Sequence, residues 1–248
     1  MRDQLAAMCH TLGDPSLDLV VLAEGNASAR ASASTFLVTA SGTSLASIAE
    51  EELVEVDAAA VRALLADGAP TIPREALLGT VVGDVRLRPS IETVLHAVVL
   101  AHSDAAFVGH THPTAVVGLA SSADPAAAFA GSLFPDEVVV CGPAFLVVPY
   151  AAPGPQLART LERALLAHLD EQQAAPKAVV LANHGLLALG ATPAEVHAVS
   201  VMATKSARVR AVALAAGGLR PLPDAEVAAL LGRDDEHDRQ RRLRGLSP

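Results

Sequence analysis

The chain has 248 residues, 51% hydrophobic and 18% charged, the profile of a globular protein long enough for one generous core or two small domains. A net charge of −9 and an aromatic content of 2%, with no Trp, argue against nucleic-acid or anionic-membrane partners. Phosphates would be repelled overall, and stacking platforms for bases are lacking. Cys9 and Cys141 imply no disulfide framework, the start carries no charged-then-apolar leader, and the apolar runs break before membrane-spanning length. The chain therefore reads as cytoplasmic, in a reducing compartment.

In chain order, "DQLAAMCHTLG" predicts a helix ending at Gly13. "EGNASAR" reads as a short loop of donors, and "STFLVTASG" as a β-rich run closed by Ser41 and Gly42. "SIAEEELVEVD" predicts a helical turn leading into a strand, and "AAAVRALLADG" a helix closed by Gly68. "PSIETVLHAVVLAHSD" has helical spacing with Ser90 as its cap. "AAFVGHTHP" reads as a buried strand, and "DEVVVCG" and "AFLVVPY" as two more. "GPQLARTLERALLAHLDEQ" is an amphipathic helix, and "KAVVLANHGLLALG" a strand, a turn and a strand. A long helix follows, with Thr192 capping it, Pro193 at its first position and Glu195 three residues after the cap. From about residue 233 the tail is charged throughout, with Asp235–Arg239 and Asp238–Arg242 at helical spacing, as on a solvated helix face. No repeat or linker divides residues 1–248, so a single α/β domain is expected.

Chemistry concentrates in a few places. On a strand, His110 and His112 would point the same way, as two imidazoles on one metal require, although such pairs also occur as ordinary core or surface residues. Asn183-His184-Gly185 puts a polar triplet between two apolar runs. Turn chemistry explains Asn183 and Gly185, but not His184. Three imidazoles with an open position make a catalytic zinc site, whereas a structural site would close with a fourth ligand. Glu92 falls in the first turn of its helix with His96 one turn later; dipole stabilisation at a helix start is the plain alternative to a catalytic role. His96 reads as a core residue or a support for the site, and the remaining histidines as ordinary. Gly25, Asn26 and Ser28, and likewise Ser41, Gly42 and Thr43, could present N–H and hydroxyl donors to an anion or could be simple turn residues.

The order GNxSxR, a Ser/Thr-Gly loop, PSxExxxH, HxHP, PYxxxG and NHG resembles the class II aldolase/adducin family, from about Leu5 to the "KSARV" helix. The resemblance implies an α/β/α arrangement around a largely antiparallel central sheet and a homotetramer with sites at subunit interfaces. It implies that His110, His112 and His184 bind the metal, Zn2+ or another divalent ion such as Mn2+ or Co2+. Glu92 would sit at that metal in the resting enzyme and act as catalytic acid/base. Asn26, Ser41, Gly42 and Ser90 would hold a substrate phosphate. The reaction implied is cleavage or formation of a C–C bond in a small ketose, a sugar phosphate above all, through an enediolate whose charge the metal takes up. A 4-epimerase or an oxo-acid decarboxylase would use the same site, and an adducin-like interaction module would use none of it.

Two positions depart from the pattern. Glu24 stands where phosphate-using aldolases carry a small hydroxyl residue, and Ile91 replaces a second Ser before the catalytic Glu. Glu24 could face the anion, with Arg88 or Arg30 compensating, or could brace Arg30 or the loop backbone. No tyrosine matches the family's proton donor, since that region reads "SLFPDEVVVCG".

Overall fold

The computed structural model describes residues 1–83 and 86–233, so the charged helix face expected in the tail lies outside the described residues. The chain runs α1 (Arg2–Leu12), β1 (Asn26–Arg30), β2 (Thr35–Thr39), β3 (Leu53–Asp57), α2 (Ala58–Ala63), α3 (Arg74–Leu78) and α4 (Thr93–Ala101). It continues with β4 (Phe107–Thr111), α5 (Thr114–Ala120), α6 (Pro125–Ala128), α7 (Pro135–Cys141), β5 (Leu146–Val148) and α8 (Pro155–Gln172). β6 (Ala178–Leu181), β7 (Gly185–Gly190), α9 (Pro193–Ala215) and α10 (Asp224–Leu231) complete it.

The strands form one seven-stranded sheet in the order β3-β2-β1-β4-β7-β6-β5. Its pairings are antiparallel except that of β5 with β6. Strand alternation sorts the side chains onto two faces. Phe107, Leu186 and Ala188 pack with Leu5, Val116 and Val199 from α1, α5 and α9. Val108, Leu187 and Leu189 pack with Val94, Leu95 and Leu161 from α4 and α8. The result is the expected α/β/α sandwich around a largely antiparallel sheet. Helix α4 is buried from Thr93 through Leu100, which its almost wholly apolar sequence dictates. The cap expected for α9 is present, with the Thr192 hydroxyl accepting the Glu195 N–H at 3.2 Å.

Three local expectations need correction. "DEVVVCG" is not a strand but helix α7, with Pro135 at its first position and Asp136 and Glu137 in its first turn. Those start signals and the burial of all three valines outweigh β-branched propensity. "EGNASAR" is a loop only at Glu24 and Gly25; Asn26–Arg30 form β1, clamped between β2 and β4. Ser90 does not cap α4, whose N-cap is Glu92. Ser90 instead forms the turn before it, its Oγ accepting the Glu92 N–H at 3.2 Å.

α7 is tied to α9 by a buried ion pair, Arg210 Nη2 to Glu137 Oε1 at 2.6 Å, with side chains only 0% and 1% exposed. The pair is fully supported: Ser206 donates to Glu137 at 2.7 Å, and the guanidinium also reaches the carbonyls of Ala128, Ala130 and Gly131. Removing one partner strands the other charge in the core, so Arg210→Ala should cost about 3–5 kcal/mol in urea unfolding.

Candidate metal centre and active-site pocket

β1 and β4 lie side by side at the middle of the sheet, with Asn26 opposite His110. Alternation puts Asn26, Ser28 and His110 on the face covered by α4, the helix that carries His96. His112 follows one residue beyond β4, its N–H bonded to the Leu19 carbonyl at 2.8 Å. His184 sits in the turn between β6 and β7, where Asn183 adopts φ 54°. At Gly185 a Cβ would meet the Thr111 carbonyl at 2.5 Å and His112 Cδ2 at 2.7 Å, so only glycine lets this turn approach β4. Gly25 combines φ +76° with an equally close approach to the His110 carbonyl.

The three imidazoles converge through their Nε2 atoms. His110 Nε2 lies 3.0 Å from that of His112 and 3.3 Å from that of His184. The opposite nitrogens are held elsewhere: His110 Nδ1 donates to the Leu186 carbonyl at 3.0 Å, and His112 Nδ1 pairs with Glu24 Oε2 at 3.2 Å. Those bonds place a proton on each Nδ1, so that the neutral rings present their Nε2 lone pairs to one another. Lone pairs this close repel unless they share a cation. Glu92 enters the same centre, Oε2 at 3.3 Å from His110 Nε2 and Oε1 at 3.1 Å from His184 Nε2. Three imidazoles and one carboxylate around a point fit a divalent ion such as zinc.

The electrostatics agree. Burial pushes the Glu92 carboxyl up, but His110 and His184 outweigh it and hold Glu92 well below the usual carboxylate range. Burial disfavours charge on His110, yet Glu92 beside it raises its pKa overall. His112 falls to about 4, through burial and then the charges of His110 and His184, against the pull of Glu24. Protons alone thus charge one imidazole at the expense of its neighbour. A divalent ion serves all three.

Behind Glu92 runs a buried chain that sequence reading missed. Asn26 Nδ2 donates to Glu92 Oε2 at 2.7 Å, Asn26 Oδ1 accepts from His96 Nε2, and His96 Nδ1 meets Ser28 Oγ at 2.7 Å. The Glu92–His96 spacing was readable as one helix face. The partners come from β1, across the helix–sheet interface, where spacing gives no signal.

Asn26, Ser41, Gly42 and Ser90 line one pocket of about 240 Å³ with Glu24, Glu92, His112 and His184. The Asn26 amide, however, is engaged by Glu92 and His96 rather than turned to the open space. Ser41 Oγ accepts from Arg88 Nη2 at 2.8 Å, placing a cation at the rim. Arg30 lies elsewhere, donating to the Leu100 carbonyl at the end of α4 at 2.7 Å. Glu24 braces the loop, accepting the Val21 N–H at 2.6 Å, and holds His112.

This fold and site define a class. Residues 3–211 match the Class II Aldolase and Adducin N-terminal domain model, and the chain belongs to that family. Among solved structures it is similar to an L-fuculose 1-phosphate aldolase, at 22% identity and TM-score 0.70, covering 92% of this chain and 93% of that one. A second L-fuculose 1-phosphate aldolase, from Glaciozyma antarctica PI12, is 21% identical at TM-score 0.65, covering 98% and 89%. YgbL from Escherichia coli, a candidate aldolase/epimerase/decarboxylase, is 21% identical at TM-score 0.68, covering 92% and 96%. These likenesses are of fold. No curated protein matches the chain significantly in sequence, and no helix among the described residues is long and apolar enough to cross a membrane.

His96 gives this site a pH signature. It is fully buried, and burial foremost, then the His110 charge, lowers its pKa to about 3 against the opposing pull of Glu92. The unfolded chain takes up its proton near pH 6.5 and the folded chain does not, so stability falls as pH drops from 6.5 toward 3. The slope from this residue should be about 1.4 kcal/mol per pH unit. Urea unfolding across that range should be less steep in pH for His96→Gln than for wild-type.

Proposed function

We propose that this protein is a divalent-metal-dependent aldehyde-lyase, cleaving or forming a C–C bond in a small ketose phosphate, with zinc the first choice of metal. The observation that carries the reading is the convergence of the His110, His112 and His184 Nε2 atoms on one point that Glu92 also reaches. His110, His112 and His184 would hold the ion, with Glu92 beside them in the resting site. Bound there, the ion would supply Lewis-acid stabilisation of negative charge developing on substrate oxygens.

The chain's own residues supply the rest. Glu92, ionised and aimed by Asn26, accepts a proton from the substrate carbon or hydroxyl and returns it. His96 fixes the Asn26 amide, since its Nε2–H can bond only to the carbonyl end, so the NH2 end must face Glu92. The anion seat then falls to Ser41, Gly42 and Ser90, with Arg88 supplying the positive charge. Glu24 does not oppose a phosphate freely, because both of its oxygens are engaged. Exposed apolar residues near the pocket, Val21, Leu22 and Ile91, support association of subunits over this face, a homotetramer being the assembly that the family resemblance implies.

Purified protein should hold about one divalent ion per chain, as a three-histidine site implies. Replacing His110, His112 or His184 with Ala should lower both metal content and turnover; full occupancy in all three variants would remove the site. Glu92→Gln should keep the fold and lose turnover roughly a hundredfold, the scale of a positioned general base. The deciding assay is aldehyde release from a panel of ketose phosphates and free ketoses. Isomer interconversion without aldehyde, or carbon dioxide from an oxo-acid, would move the assignment to an epimerase or a decarboxylase. Arg88→Ala should raise KM for a phosphorylated substrate about tenfold, for 1.4 kcal/mol of lost contact, and leave a free ketose unaffected.

A further inference from the structure

We propose that Glu24 is a positioning residue for His112, fixing its imidazole so that Nε2 aims at the metal centre. This rests on the metal-site reading above and deepens it. The two outer histidine bonds of the centre differ in kind. His110 lies within β4 and leans on a backbone carbonyl, that of Leu186, at 3.0 Å. His112 lies beyond the strand end, where no ladder fixes it, and leans instead on a carboxylate.

Glu24 is itself fixed. One oxygen accepts the Val21 N–H at 2.6 Å while the other meets His112 Nδ1 at 3.2 Å, so the carboxylate bridges the loop and the ring. The loop is shaped for this contact, with Leu22 at φ 58° and Gly25 at φ 76° on either side. Leu22 is 88% exposed in the single chain, so packing of its side chain within its own subunit does not account for that backbone conformation. Glu24 meets the ring at Nδ1, the nitrogen that does not face the other two histidines, so it supports the centre from outside rather than completing it. A carboxylate on Nδ1–H does more than a carbonyl would. It fixes the tautomer, limits ring rotation and raises the basicity of Nε2 toward a cation. The same contact explains how a carboxylate can stand beside an anion pocket: its charge is directed at His112.

The test is zinc affinity, measured by competition with a chromophoric chelator in the absence of substrate. Glu24→Gln keeps a carbonyl oxygen for the Val21 N–H, so the loop brace survives, but offers Nδ1–H an NH2 group or a neutral acceptor. Its zinc affinity should fall 10–100-fold, the scale of lost outer-sphere partners, while the metal-free melting temperature stays within about a degree of wild-type. Affinity within twofold of wild-type would overturn the proposal. Should the variant fail to fold, long-range 15N–1H correlation on zinc-loaded wild-type decides instead. It should give His112 as the Nδ1–H tautomer with Nε2 on zinc; coordination through Nδ1 would overturn the proposal. A wild-type protein that takes up no ion would overturn the metal reading and this one with it. Uptake unaffected by Glu24→Gln overturns this one alone.

Discussion

The site depends on one register, the antiparallel pairing of β1 with β4 that sets Asn26 opposite His110. A slip of one residue would turn His110 away from α4 and Asn26 away from Glu92, because successive strand residues face opposite sides. The register is held by what lies on both faces. Ala27 and Ala29 pack in one core layer while Val108 packs in the other, so a slip would bury polar groups among aliphatic ones. The middle of the sheet is where pairing on both edges makes a strand least free to shift, which suits a centre that brings three imidazoles to one point.

Ser28, His96, Asn26 and Glu92 are tolerable this deep because each has a partner. The four form a directional chain of hydrogen bonds from the middle of the sheet to the pocket. His96 stays neutral in this chain, and its neutrality gives the Asn26 amide one orientation. A charged His96 would be desolvated in the core and would push against His110. The orientation of the Asn26 amide on Glu92 thus depends on a histidine that does not line the pocket.

The two departures from the family pattern also have a place in this arrangement. Glu24 lies in the loop before β1, with one carboxylate oxygen 3.2 Å from His112 Nδ1 and the other on the Val21 N–H. Ile91 lies beside Gly154, where an added Cβ would come within 3.4 Å of its side chain. It therefore packs toward the loop before α8. Ser41 and Ser90 line the pocket beside the histidines, and Arg88 reaches it through Ser41 Oγ, 2.8 Å from Nη2.

The sequence by itself determined the chemistry on offer. His110 and His112 two residues apart, His184 isolated between apolar runs and Glu92 at a helix start were legible because strand alternation, turn chemistry and capping are local rules. The order of motifs carried the fold class. It did not reveal that "NASAR" is a central strand, because Asn, Ser and Ala have little strand propensity of their own and take that form here between two partners. Nor did it reveal that "DEVVVCG" is helical, since its valines are buried on α7 and its Glu137 finds Arg210 seventy-three residues away. Asn26 on Glu92, and Glu24 on His112, were likewise decided only by tertiary structure. Those pairs join residues 66 and 88 positions apart, and hydrogen bonds over such separations follow from packing rather than from any periodicity in the chain.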